Sequence, residues 1–201
     1  MNIQTALKLI AAGAFVAGAG GTFAQHSPLG HGASHGPTVA ASPYAGQQTR
    51  DIKALSAIQT EDLLAGKGME LAKAAELNGY PGPMHTLELA QPLGLSAAQR
   101  QATQALMDSH KADARRIGAE LVEAERALDQ AFSTRQINPA SLTSHTDRIA
   151  QLQATLRASH LQTHLQQTAL LTPQQIGRYA ELRGYISGSS LAPITPSSHK
   201  H

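Results

Sequence analysis

The 201-residue chain contains no cysteine and no tryptophan. Without cysteine there can be no disulfide, no thiolate metal site, no lipid anchor at a cleavage site and no cysteine nucleophile. Aromatic residues make up only 3% of the chain, and Phe132 is the one Phe beyond residue 24. Leu and Ala must fill the core, and a core of such small side chains is thin. An excess of one charge is also missing. Sixteen Lys and Arg face fourteen Asp and Glu, for a net charge of +2, with the signs interspersed. That balance leaves no electrostatic footprint for nucleic acid. Past residue 24 no run is apolar enough to span a bilayer, so no membrane insertion is expected. No useful stretch alternates with a strand period. No Gly-rich phosphate loop follows a strand, and no strand–turn elbow presents a Ser nucleophile. These absences point away from an enzyme and toward an all-α protein.

What the chain does have begins with an address. Lys8 gives a short basic start, Leu9 to Ala19 is small and apolar, and Thr22-Phe23-Ala24 has a small-x-small pattern. Residues 1–24 read as a cleavable secretory signal peptide, which places the protein in the periplasm. Residues 25–48 are rich in Gly, Ser, Pro and His without an apolar period, and read as a disordered leader. Residues 187–201 read as a disordered tail. The span 49–186 between them is one helical domain.

Within that domain, Thr60 followed by Glu61 and Asp62 suits a helix start, with carboxylates at the positive end of the dipole. That helix is expected to run through Leu63, Leu64, Met69, Leu71 and Ala75, weakened at Gly66 and Gly68. Asn78-Gly79-Tyr80-Pro81-Gly82-Pro83 breaks it, and a short helix follows over about His85–Gln91. Two further starts share one form: Leu95-Ser96-Ala97-Ala98-Gln99 and Leu171-Thr172-Pro173-Gln174-Gln175. Each fits a capping box. The hydroxyl accepts from a backbone N–H one turn in, and the Gln reaches back to the cap residue's own N–H. Pro173 sits at a first helical position, where a missing N–H is harmless. Internal repetition is confined to these two starts.

Between them lies the long element. Met107, His110, Ala114, Ile117, Leu121, Ala124, Leu128 and Ala131 recur at threes and fours, on one helix face. From Ser96 to Thr134 that helix would be roughly 55–60 Å long. Asn138-Pro139 starts its partner, which shows Leu142, His145, Ile149, Leu152 and Leu156 and runs to about Leu170. Thr172 caps a last helix ending near Gly184. The short link makes the two long helices an antiparallel hairpin with short flanking helices. Folding at about Gln136 sets Ile117 against Leu156, His110 against His164 and Asp113 against His160.

The two capping motifs, the signal segment and the hairpin resemble the LTxxQ family of periplasmic proteins. That family includes Spy- and CpxP-type refolding chaperones and the ZraP- and CnrX-like heavy-metal sensors. The segments Leu77-Asn78-Gly79-Tyr80-Pro81-Gly82-Pro83-Met84-His85 and Arg157-Ala158-Ser159-His160-Leu161-Gln162-Thr163-His164-Leu165 look like its metal-sensor and refolding-chaperone branch. The resemblance implies a helical homodimer, often a curved cradle, that binds unfolded envelope proteins without ATP. Some relatives hold Zn, Ni, Co or Cu, and some report to the periplasmic domain of a membrane sensor.

Two functions follow as expectations. The first is an ATP-independent periplasmic chaperone, with Leu87, Leu89, Leu161 and Leu165 offering apolar contact and Arg115 and Arg116 adding charge attraction. It needs no cofactor. The second is a metal sensor or resistance protein. His160 and His164, spaced i and i+4, share a helix face and can hold one ion. His110 and Asp113 would complete the set, with Met107 and Glu70 in reserve. Imidazole with carboxylate suits Zn, Ni, Co or Cu alike. The ten histidines include looser groups, His26, His31 and His35, and His199 and His201.

Overall fold

The computed structural model describes residues 41–186. The expected signal peptide, residues 25–40 of the leader and the tail from 187 lie outside the described residues, as do His26, His31, His35, His199 and His201. Among the described residues there are six α-helices and no strand. They are α1 (Ala57–Ala65), α2 (Lys73–Glu76), α3 (Pro83–Glu88), α4 (Ala97–Ser133), α5 (Pro139–Leu170) and α6 (Pro173–Leu182). No helix among them is long and apolar enough to cross a membrane.

The long helices begin where their caps put them. The Ser96 hydroxyl accepts from the Gln99 N–H at 3.1 Å, and Gln99 Oε1 accepts from the Ser96 N–H at 3.0 Å. Thr172 and Gln175 repeat this at 3.2 and 2.9 Å. Asn138 caps α5 through Ala140 and Ser141, with Pro139 at the first helical position.

The first helix departs from expectation. It starts at Ala57, capped by Ser56 in a full box with Gln59, rather than at Thr60. Leu55-Ser56-Ala57-Ile58-Gln59 is thus a third copy of the motif, which corrects the count of two. Nor does the helix run on to Ala75. Gly66 takes a left-handed φ of +67° and closes the last turn, and only the four-residue α2 re-forms beyond it. The next short helix starts at Pro83, two residues before the expected His85, because Gly82 is extended and Pro83 suits a first position.

α4 and α5 form the antiparallel hairpin. Its register differs from a fold at Gln136 by about one turn: His110 meets His160, not His164, and Arg148 reaches Glu120 at 2.7 Å. The link explains the shift. Gln136–Asn138 are not helical, and non-helical backbone covers up to roughly 3.3 Å per residue against about 1.5 Å in a helix. The chain therefore returns further along α4 than a midpoint fold assumes.

Two apolar clusters hold the domain. One fills the loop-side half of the hairpin with Leu63, Ala114, Ile117, Leu121, Val122, Ile149, Leu152 and Leu156, joined by Ile52. α1 crosses α4 at Gly118, where a Cβ would lie 2.2 Å from the Leu63 carbonyl oxygen, so only glycine permits the approach. The second cluster, at the open end, joins Leu93, Leu95, Leu171 and Tyr179. Between the clusters the buried seam turns polar: Thr103, His160, Thr163 and Gln167.

Candidate functional site

That polar stretch borders a groove of about 740 Å³ formed by the end of α1, the 66–72 loop, α2, α3 and the facing sides of α4 and α5. Its walls carry His85, His110, His160 and His164, with Glu76 and the thioethers of Met69, Met84 and Met107.

His110 on α4 and His160 on α5 are in direct contact. His110 Nε2 lies 3.0 Å from His160 Nδ1, and the rings meet edge to face with centroids 4.4 Å apart. Ser159 Oγ sits 3.3 Å from His110 Nδ1. One imidazole must donate and the other accept, so the pair is suited to neutral rings. Whichever tautomer holds, His160 Nε2 is buried without a hydrogen-bond partner. Burial pushes the His160 pKa down to about 4, with smaller contributions from His110 and His164. Burial also lowers His110, helped by His164 and opposed by Asp113.

His164 stands one turn further along α5. Its Nδ1–H donates to the Tyr80 carbonyl at 2.7 Å, so Nε2 carries the free lone pair of the neutral ring. The ring lies against Gly82, where a Cβ would fall 2.8 Å from Cε1 and 2.9 Å from Nε2. Glu76 Oε2 lies 3.7 Å from His164 Nδ1 and is buried without a hydrogen-bond partner. Its other oxygen accepts from the Tyr179 hydroxyl at 2.5 Å and the Tyr185 hydroxyl at 2.9 Å. Glu76 thus ties the end of α6 to the groove wall.

Of the four residues selected as metal ligands, His110, His160 and His164 line this groove. Asp113 does not. It is exposed and lies 3.6 Å from Arg116. The one-turn register shift gives His160 the partner expected for His164 and leaves Asp113 out. Among the described residues no three His, Cys, Asp or Glu side chains converge into a ready metal-holding set. Glu76 and Gly82 were not singled out beforehand. The burial of Glu76, with Oε1 bonded to Tyr179 and Tyr185 and Oε2 unpartnered, depends on packing of α6, which no local pattern displays.

The residues expected to contact clients differ in burial. Leu89 packs against the open-end core, Leu87 and Leu161 are half-buried, and Leu165 is exposed. Arg115 lines the groove and points its Nε at the Ala65 carbonyl, 3.4 Å away, while Arg116 pairs with Glu120 at 2.9 Å.

The capping motifs do more than cap. Gln99 Nε2 donates to Gln175 Oε1 at 2.8 Å, and Gln175 Nε2 donates to Gln99 Oε1 at 3.0 Å. The remaining donors go to the Leu170 and Leu93 carbonyls. Each glutamine fills all four of its hydrogen-bonding places, and Leu95 and Leu171 sit beside them in the open-end core. In these two motifs the Leu anchors, the hydroxyl caps and the Gln clasps its counterpart.

No curated protein and no solved structure matches the chain. A family model described as heavy-metal resistance matches residues 71–178, more than half of the chain. That span holds two of the three groove-lining thioethers, Met84 and Met107, with all four groove histidines and both clasped motifs, and by this match the chain belongs to the heavy-metal resistance family.

Proposed function

We propose that the protein is a non-catalytic metal-binding member of this family that captures transition-metal ions in the groove beside α4 and α5. The observation that carries this is the His110–His160 pair, kept neutral by burial, with one nitrogen that nothing in the protein satisfies. A buried unpaired nitrogen costs about 1–3 kcal/mol, and metal ligation uses the neutral imidazole. His164, with Nε2 free, and Glu76, with a free oxygen, stand nearby. These are donor types that metal ions take, offered singly around the groove, since no three of them converge among the described residues. Together with the export signal read in residues 1–24, this describes a periplasmic sensor or buffer of metal.

Equilibrium dialysis of the metal-stripped protein against Zn, Ni, Co and Cu salts, followed by elemental analysis, tests the proposal. A bound ion is expected, lost when His110, His160 and His164 are replaced together by Asn. Undiminished binding by that variant would move the site to other histidines and sink the proposal.

A second reading is favoured by the apolar rim. Met69, Leu77, Met84 and Tyr185 line the groove and are each more than one third exposed. Such a surface suits weak capture of unfolded envelope proteins, the chaperone role, with a homodimer or a membrane sensor's periplasmic domain as further partners. Light scattering of a denatured client diluted into metal-stripped protein decides it. Suppression without ATP supports the chaperone, and none at large excess removes it.

A further inference from the structure

Fewer than one in six of the described residues line the groove, yet it holds every methionine among them and four of their five histidines. The chain's fourth methionine is Met1. Methionine is a common filler of irregular cores, but these side chains are not used that way: Met69 and Met84 are exposed and Met107 is half-buried. They come from three separate places, the 66–72 loop, α3 and α4. Met107 and His110 are spaced i and i+3, so they neighbour each other on one face of α4. Met69 is delivered at a conformational cost. It and Glu70 both adopt left-handed backbone, with φ of 43° and 61°, and neither is glycine. Non-glycine residues held this way cost on the order of 1–3 kcal/mol each and cluster at ligand clamps.

We propose that this groove selects soft monovalent cations, Cu(I) or Ag(I), through methionine thioethers acting with a groove imidazole. The inference rests on the metal-binding reading above and specifies its ion. Three features favour the soft ion. Thioether donors select Cu(I)-like ions over harder ones. Zn prefers about four nitrogen, oxygen or thiolate donors, and no three such groups converge among the described residues. Charge also discriminates. Lys67, Lys73, Lys111 and Arg115 line the groove against Glu70 and Glu76. Lys73 is paired with Glu70, and Lys67 with Asp62 beside the groove. The remaining positive field repels a divalent ion twice as strongly as a monovalent one.

The test uses the full chain, stripped of metal and labelled with ¹³C at the methionine methyls. Ag(I) serves as the redox-inert probe, with Zn(II) in parallel. Ag(I) is expected to shift the methyl resonances of Met69, Met84 and Met107. A Met84→Leu/Met107→Leu variant, close in volume and checked for helix content by circular dichroism, is expected to lose about tenfold or more in Ag(I) affinity with Zn(II) binding unchanged. Methyl resonances that stay fixed while Ag(I) binds through the histidines would overturn the soft-ion proposal and leave the metal-binding reading standing. Failure to bind either ion would overturn both. Should the variant unfold, the methyl shifts of the parent protein still decide the matter.

Discussion

The two halves of the α4–α5 hairpin are built on opposite plans. Near the linking loop the seam is apolar, with Ile117, Leu121, Ile149, Leu152 and Leu156 buried together. Beyond Ala114 on α4 and Leu156 on α5, the same two helices bury Thr103, His160, Thr163 and Gln167. The Thr103 hydroxyl, His160 Nε2 and both ends of the Gln167 amide lack hydrogen-bond partners there. A buried polar group without a partner is destabilising. The loop-side half supplies stability. The other half gives some of it up in unpartnered polar groups.

The largest test of that contrast lies in the apolar half. Leu152→Ala should lower stability by about 3 kcal/mol, as cavity-forming substitutions do, read as a shift in the urea midpoint. A loss below about 1 kcal/mol would show that the loop-side cluster does not bear the fold. Acid strikes the polar half. The unfolded chain takes a proton on His160 at the ordinary 6.5, the folded chain only near 4. Stability is therefore whole above pH 6.5 and is lost as pH falls from 6.5 toward 4, by on the order of 2–3 kcal/mol. Urea titrations at pH 7.5, 5.5 and 4.5 measure it, with His160→Leu as the control that removes this slope. Identical profiles for the two proteins would refute the neutral buried imidazole. The smallest effect has the opposite sign. Gln167→Met keeps the volume and removes two orphaned groups, so it should raise stability by about 1 kcal/mol. A destabilised variant would mean that this amide is satisfied after all.

The same contrast divides what the sequence displays from what it hides. Helix starts are local events, and Ser96, Asn138 and Thr172 announce α4, α5 and α6 through their own hydrogen bonds. Thr60-Glu61-Asp62 and Leu55-Ser56-Ala57-Ile58-Gln59 are equally local start signals, and the second, with its full capping box, is the one that starts α1. Gly66 reads as a weak helical residue by propensity, whereas its left-handed φ makes it a stop. Three of the four groove histidines, His110, His160 and His164, are legible as chemistry but not as a cluster, because the link from Gln136 to Asn138 sets the register. Glu76 and Gln167 could not be recognised, since whether a buried polar group has a partner is decided by distant helices. Met69 and Met84 reach the groove that Met107 lines only once the loops before α2 and α3 have folded.

The clasp between Gln99 and Gln175 joins positions 76 residues apart. It does the topological work of a cross-link using groups that hold no titratable proton and no sulfur. Acid that charges the groove imidazoles leaves these amides as they are, and so does a change of redox state. A soft cation finds no thioether or imidazole in them. The mouth of the hairpin is therefore held by a latch that protons, electrons and soft cations leave unchanged.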